Sequence, residues 1–513
     1  MRALRNGGLR GSQSQKVLPG AEGAAMTASR PRPATVPAQH AYVFVRSASP
    51  ERQQELAQLA AAAGFAARVH ATSESALDEL ATILAPNSRE GLPAAILVDV
   101  FDEDGDGAID QAEMSWPLLR MVQRPHAPYD ERLKRVFVLV ISETVAASPR
   151  LTLDAFGAGA RMVTPSDDDC KHALELLRLT SVKTPGQTAK RAMVRCPTCG
   201  HGGLTHAQLF GHYSLCHVAE PGGDGQCPIC QRVCRRGHGF ESFAKHLCAK
   251  HQPENADADG DGFISKRELH GAMASTAATS TKSKKNLKSQ FMADAAAVDF
   301  RSPYVAYAWL VVRRPSDGRY LMVLESAATP GCGGKPCYWL PAGKVDPGET
   351  LVEAAVRCCK RDTHVTVEPK GLLRVMLEPT EKKTVRAILY AEPAAGCDDP
   401  AVTCPKSCPD FHSVGACWVD LDDLAELHEN EFRHPDPPML FPAVESGALV
   451  PQSLEHAAWH DLERTVAELT STDDDTARAR LIPPVWDQIV RAYRALAVHA
   501  ATTVAPAMGI QMH

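Results

Sequence analysis

Four clusters of residues in this 513-residue chain have types and spacings that could do chemistry. Cys196, Cys199, His212 and His217 are spaced C-x2-C-x12-H-x4-H, and Cys227, Cys230, His246 and His251 repeat the order with a fifteen-residue middle. Two thiolates and two imidazoles suit a tetrahedral Zn2+ in a closed structural site. DEDGDGAIDQAE, residues 102–113, offers oxygen ligands at Asp102, Asp104, Asp106, the Ala108 carbonyl, Asp110 and Glu113, with Gly107 at the sharp turn. DADGDGFISKRE, residues 257–268, does the same through Asp257, Asp259, Asp261, the Phe263 carbonyl, Ser265 and Glu268. Hard oxygens at these offsets suit Ca2+. Finally, GKVDPGETLVEAAVRCCKRDTHV, residues 343–365, puts Glu349 and Arg357 two helical turns apart, where they can pair. Cys358, Arg361 and Asp362 then share one helix face.

The elements that must position these residues fall into segments. Residues 1–40 carry arginines and serines with no acid before Glu22, which fits a targeting segment or a disordered arm. Residues 41–183 alternate β-rich runs (AYVFVR, AARVHAT, AAILVDV, RVFVLVIS) with amphipathic helical stretches (ERQQELAQLAAAAG, SESALDELATIL), which predicts a parallel sheet covered on both faces. Residues 196–251 hold the Cys/His sets, residues 254–272 the second acidic loop, and residues 273–300 read as a flexible basic linker. Strand-like runs return over 303–450 (YVAYAWLVVRR, RYLMVLES, TVRAILYAE), with one helix at 349–362, and residues 451–513 predict a helical tail. The fold class expected is therefore multi-domain, α/β and α+β.

Composition sets limits. Apolar content of 44% and 23% charged residues fit a globular protein, and no apolar run approaches a membrane span. The net charge of −6 argues against a chain that coats nucleic acid. Seven of the 16 cysteines lie between Cys196 and Cys248, which points to metal binding in a reducing compartment rather than to a disulfide framework. Cys332, Cys337, Cys397, Cys404, Cys408 and Cys417 lie in glycine- and proline-rich loops without diagnostic metal spacing.

Several resemblances follow from these residues. The two acidic loops resemble EF-hand loops, and the Cys/His sets resemble C2H2 zinc fingers, with Leu209 and Phe243 at the core position. Counting from the first histidine, a base-reading finger would use Thr205, Gln208 and Gly211, then Gly239, Ser242 and Lys245. Two of these are glycines. Residues 183–251 nevertheless hold nine Lys/Arg against three Asp/Glu, an excess of +6. Structural or protein-docking fingers are expected ahead of nucleic-acid binding.

Residues 41–183 resemble a response-regulator receiver domain, of flavodoxin-like fold. Asp99 stands where that family carries its phospho-acceptor, and Ser142 where it carries the switch hydroxyl. The family's acidic pair is replaced by Arg46-Ser47-Ala48 and its lysine by Thr164, so the resemblance implies a pseudo-receiver.

Residues 303–450 resemble the Nudix hydrolases, whose pattern is G-x5-E-x7-R-E-U-x-E-E-x-G-U on an α/β/α sandwich. Gly343, Glu349 and Arg357 match. The three metal-gathering carboxylates fall on Cys358, Arg361 and Asp362, so the cluster's formal charge is 0 in place of −3, and the final glycine is His364. In the family these carboxylates hold the Mg2+ that polarises a pyrophosphate. The resemblance implies Glu349, Arg357 and Asp362 as the surviving catalytic residues of a degenerate box, with Mg2+ or Mn2+ needed only if the domain is active.

Three functions are open. One is a calcium-responsive, zinc-binding regulatory protein whose Nudix fold binds a nucleotide with impaired hydrolysis, with protein partners at the fingers. A second is a calcium-regulated pyrophosphohydrolase of nucleoside diphosphates linked to another group. A nucleic-acid-associated zinc-finger regulator is a third reading. The expected location is intracellular, cytoplasmic or nuclear.

Overall fold

The computed structural model describes residues 42–47, 49–85, 88, 90–100, 118–120, 133, 135–181, 193–220, 225–234, 242–253, 267–268, 271–272, 304–327, 329, 331–378, 383–397, 405–471, 487–492 and 494–495. The loop at 102–113 and, apart from Glu268, the ligand residues of the loop at 257–268 lie outside the described residues.

The first domain is built on β1 (Tyr42–Arg46), β2 (Ala66–His70), β3 (Ala95–Asp99), β4 (Phe137–Ile141) and β5 (Met162–Thr164). All pair in parallel, in the order β2-β1-β3-β4-β5. Buried parallel strands are apolar on both faces, and the pleat divides them between two cores. Val43, Val45, Leu97 and Leu139 meet α1 (Pro50–Ala62) and α5 (Asp167–Ser181), while Phe44, Ile96, Val98 and Val140 meet α2 (Ser73–Leu84). Ser49, Thr72 and Ser142 cap the N-termini of α1, α2 and α3 (Glu143–Ala147), and Ser148 ends α3 and caps α4 (Pro149–Ala158).

Two small ββα units follow. Hairpin β6 (Val194–Arg195) and β7 (Gly202–Leu204) leads into α6 (His206–His217); hairpin β8 (Gly225–Gln226) and β9 (Val233–Cys234) precedes α7 (Phe243–His251). Helix α6 is buried on every side from Ala207 to His217. Leu215 and Cys216 join the core of the first domain, and Gln208 Nε2 donates to the Leu179 carbonyl of α5 at 3.0 Å.

The third domain is a sandwich of two sheets. The mixed sheet runs β13 (Ala342–Lys344), β10 (Tyr304–Val312), β15 (Lys383–Pro393), β14 (Val367–Glu378); the antiparallel one runs β12 (Cys337–Trp339), β11 (Tyr320–Glu325), β16 (Gly415–Val419). Helix α8 (Leu351–Thr363) packs on β10 and β13, with Leu351, Ala354, Ala355 and Cys359 in the core. Short helices α9 (Leu421–Ala425) and α10 (Asp436–Glu445) follow β16. Helix α11 (Ala457–Ser471) begins the expected tail and is seated in the same core through Trp459, Leu462 and Val466. Cys332 and Cys337 form one local disulfide, where the sequence pointed to a reducing compartment rather than to a disulfide framework. The five-residue separation brings the two Cα atoms to 5.5 Å, within bonding reach.

The domains are knit together. Tyr338 Oη donates to the Pro149 carbonyl at 3.2 Å, Arg150 pairs with Glu431 at 2.7 Å, and Ser326 Oγ donates to the Val218 carbonyl at 2.8 Å. Among the described residues no helix is long and apolar enough to cross a membrane.

Candidate functional site

The box helix α8 starts at a full capping box. Thr350 accepts from the Glu353 amide, and the Glu353 carboxylate accepts from the Thr350 amide at 2.9 Å. Glu353, the carboxylate nearest Arg357 in sequence, is thereby occupied at the cap. Arg357 grips Glu349 with two bonds, Nε to Oε1 at 2.6 Å and Nη2 to Oε2 at 2.7 Å, and reaches the Lys344 carbonyl at 3.0 Å. Burial raises the Glu349 carboxyl, but Arg357 and the Asp346 amide outweigh it and hold its pKa below the ordinary value. The bracing pair is therefore formed as its spacing predicts.

The metal-gathering face is altered as its sequence implies. Cys358 is fully buried against Gly343, where any Cβ would collide with its sulfur. Burial pushes its thiol up to about 11, so a neutral sulfur stands at the first carboxylate position. Cys359 points into the core, pushed up to about 12 by burial. Arg361 turns onto its neighbour, Nε to Asp362 Oδ1 at 2.7 Å and Nη2 to Oδ2 at 3.0 Å. The last box carboxylate is thus spent on an internal guanidinium. Among the described residues, no set of three His/Cys/Asp/Glu ligand atoms converges at the box; the two that converge are the Cys/His sets.

Residues that motif spacing did not reveal complete the site. Glu325, at the end of β11, is paired with Arg433 at 3.0 Å. Burial raises its pKa, against the opposing pull of Arg433, and Asp362 raises it further. Arg433 lies 4.1 Å over the Trp339 ring, whose Nε1 donates to Asp436 Oδ2 at 3.0 Å. A lone glutamate closing an apolar run, LMVLE, was the available signal for Glu325.

His364 takes the left-handed conformation, φ 61°, at the C-terminus of α8, where the family pattern has glycine. Burial, then Lys406, hold its imidazole down to about 4, against Asp410, with His172 and Lys360 also facing it. A histidine with a depressed folded pKa stabilises fully above its unfolded value and loses that contribution as pH falls from about 6.5 towards 4. His364→Gly is therefore expected to stabilise by about 1 kcal/mol at pH 7.5 through relief of left-handed strain. The gain widens at pH 5, and urea unfolding at the two pH values reads both.

The Cys/His sets converge as their spacing predicts. In each, one ligand atom from each of the four residues lies within 4.8 Å of the others. Cys199 Sγ and His212 Nε2 are 3.3 Å apart, His212 Nε2 and His217 Nε2 3.2 Å, and Cys230 Sγ and His246 Nε2 3.1 Å. Tetrahedral ligands at zinc's bond lengths are separated by about 3.3–3.8 Å; the sets are gathered slightly tighter than that, and two thiols with two imidazoles are the donor set that suits this ion. The His217 Nδ1 sits 3.1 Å from Glu220, which leaves Nε2 for a metal; Arg161 of the first domain pairs with the same Glu220. Of the base-reading positions, Thr205, Gln208 and Gly211 are buried inside the protein. Lys245 is exposed, and Gly239 lies outside the described residues.

Asp99 ends β3 beneath a basic cover. Ser47 Oγ donates to Oδ2 at 2.7 Å, Arg52 Nε lies 3.7 Å from Oδ1, and Arg46 donates to the Asp99 carbonyl at 2.9 Å. Burial raises its pKa, with Ser47 and Arg52 opposing. Asp102, Asp104, Asp106, Ala108, Asp110, Glu113, Asp257, Asp259, Asp261, Phe263 and Ser265 fall outside the described residues; Glu268 is buried.

Comparison with known proteins gives the class. Residues 305–441 match the NUDIX domain family, and residues 254–273 match an EF hand family. The third domain of this chain is a Nudix domain, with an EF-hand match upstream of it. The human 8-oxo-dGDP phosphatase NUDT18 is 29% identical over 146 residues, 26% of this chain and 42% of that protein. A putative nudix hydrolase 1 from Caenorhabditis elegans is 31% identical over 121 residues, 24% of this chain and 30% of that protein. The chain thus spans less than half the length of either relative. Among solved structures, a NUDIX hydrolase from Nitrosomonas europaea is similar at 20% identity and a TM-score of 0.23, covering 29% of this chain and 92% of that one.

Proposed function

We propose that the Nudix domain binds a nucleoside diphosphate or a derivative of one without needing a divalent metal, and that its hydrolytic power is impaired. The observation that carries this is the Arg361–Asp362 pair: a permanent cation bonded to the one remaining carboxylate of the three metal-gathering positions. Arg361 keeps 26% of its side chain exposed, so it can still meet a phosphate. Guanidinium groups bind phosphate oxygens well.

The same reading includes Zn2+ in both Cys/His sets and Ca2+ in the loops at 102–113 and 257–268, as structural and regulatory ions. The family match at residues 254–273 supports the second loop. If Mg2+ or Mn2+ were to bind at the box, Asp362 and Glu325 are the residues that would hold it. The raised pKa of Glu325 favours a second reading, a slow hydrolase with Glu325 as base.

Calorimetry separates the two. GDP and 8-oxo-dGDP, the latter suggested by the human relative's name, are expected to bind the full chain in buffer without added Mg2+ or Mn2+ and to gain less than threefold from Mg2+. Arg361→Ala is expected to weaken binding at least tenfold, about 1.4 kcal/mol. Mg2+-dependent turnover of either compound by the wild type would overturn the proposal in favour of the hydrolase.

A further inference from the structure

The irregular segment 405–414 carries no motif, yet Lys406–Asp410 within it are buried. It touches all three domains. Towards the Nudix helix it takes up three consecutive carbonyls at the C-terminus of α8, which the helix itself leaves without amide partners. Lys406 Nζ is 3.5 Å from the Arg361 carbonyl, Ser413 Oγ donates to the Asp362 carbonyl at 2.7 Å, and the Lys406 amide donates to the Thr363 carbonyl at 2.9 Å. The segment is therefore the C-terminal cap of the box helix, at the residues that form the Arg361–Asp362 pair.

Its other side faces the rest of the chain. Ser407 Oγ meets Asp169 Oδ2 at 2.5 Å and Thr164 Oγ1 at 2.9 Å in the first domain, and Cys408 lies in that domain's core. Phe411 packs against the first Cys/His unit, with ring centroids 4.6 Å from Phe210 and 6.2 Å from Tyr213. Phe210 and Tyr213 flank His212 on α6, and Tyr213 also meets the ring of His217 at 5.3 Å. The aromatic seat of Phe411 is thus built by the helix that carries two metal ligands.

We infer that segment 405–414 is a strap through which the metal state of the first Cys/His set positions the Nudix box. With metal bound, α6 holds Phe210 and Tyr213 in register, Phe411 is seated, and the strap caps α8. Without it, the seat for Phe411 is lost, because a small Cys/His unit owes its fold to its ion. The strap then loosens, and the end of α8 with Arg361 and Asp362 loosens with it. The first finger in this arrangement is an internal fastener. The inference goes beyond the proposed function, since it does not depend on what the Nudix domain binds.

Hydrogen exchange on the full chain tests it, with released metal counted by a colorimetric zinc indicator. Stripping the metal is expected to speed exchange at least tenfold at the amides of His364, Lys406 and Asp410, while β10 and β15 keep their protection. Phe411→Ala is expected to give the same acceleration with metal still bound, and stripping it further then changes little. Phe411→Tyr, which keeps the aromatic contact, is expected to behave as wild type. Unchanged protection at the three amides after metal release overturns the inference, as does a Phe411→Ala variant with wild-type protection. Loss of protection in β10 and β15 as well would mark general unfolding and also overturn it, as would a purified chain holding no metal in that set.

Discussion

Lys406→Met is expected to destabilise the folded protein by about 3–5 kcal/mol, among the largest effects a single substitution can have here. The Lys406 side chain is wholly buried, and its ammonium lies 2.5 Å from Asp410 Oδ2. Methionine replaces its length but not its charge, so Asp410 is left as an uncompensated buried anion. In the wild type, burial raises the Asp410 carboxyl while Lys406 and His412 outweigh it, and the net pKa lies below the ordinary value. That sign means the pair's contribution is present above the unfolded carboxyl pKa and is lost as pH falls through the folded one. In the variant the deficit is expected to narrow towards pH 4, because protonation neutralises the stranded carboxylate. Lys406→Met/Asp410→Asn is expected to recover most of the loss. Asparagine keeps the Oδ1 that accepts from the His412 and Ser413 amides at 2.7 and 3.1 Å, and no buried charge remains. Urea unfolding of the two single variants and the double variant closes the cycle. A loss below 1 kcal/mol for Lys406→Met would show that water reaches Asp410.

How much of this was legible in the sequence depended on periodicity. The parallel sheet could be read because buried parallel strands are nearly continuous apolar runs, as in AILVD and FVLVI. The box could be read because Glu349 and Arg357 must pair across two turns, and they do. The Cys/His sets were legible because metal ligation fixes spacing. Strand β14 was not: Pro369 and Gly371 interrupt it, and two bulges break its alternation against β15. The buried state of α6 was not legible, because finger spacing puts base-reading positions at Thr205, Gln208 and Gly211 and polar residues run through the helix. The strap was opaque for a deeper reason. Its contacts run to Asp169, Phe210 and Asp362, so its meaning lies in tertiary neighbours hundreds or tens of residues away, and nothing periodic marks it. Glu325 was hidden in the same way, since only the fold brings it near Asp362 and Arg433.

Arg361→Glu should convert a box indifferent to Mg2+ and Mn2+ into one whose stability depends on them. Asp362 is 5% exposed and is held by Arg361 through two bonds of 2.7 and 3.0 Å. Replacing the guanidinium by a carboxylate removes that partner and places a like charge beside a buried one. Without added Mg2+ or Mn2+ the cost is expected to be about 3–5 kcal/mol, the usual result of breaking a buried pair. The introduced carboxylate and Asp362 would then stand side by side with Glu325 nearby, an oxygen set suited to Mg2+ or Mn2+. A cation that binds the folded state alone restores stability by RT ln(1 + [M]/Kd), about 2.7 kcal/mol at a hundredfold excess over Kd. The variant's melting temperature should therefore rise with Mg2+ or Mn2+, whereas the wild type, whose Arg361 already fills the role, should not respond. Cys358→Glu added to Arg361→Glu supplies the third family carboxylate and should tighten the metal further, provided the longer side chain turns past Gly343 to the surface. A wild type that gains stability from Mg2+ as steeply as Arg361→Glu would mean that the guanidinium does not occupy the cation's place. A variant as stable as the wild type without added Mg2+ or Mn2+ would mean that Asp362 never needed it.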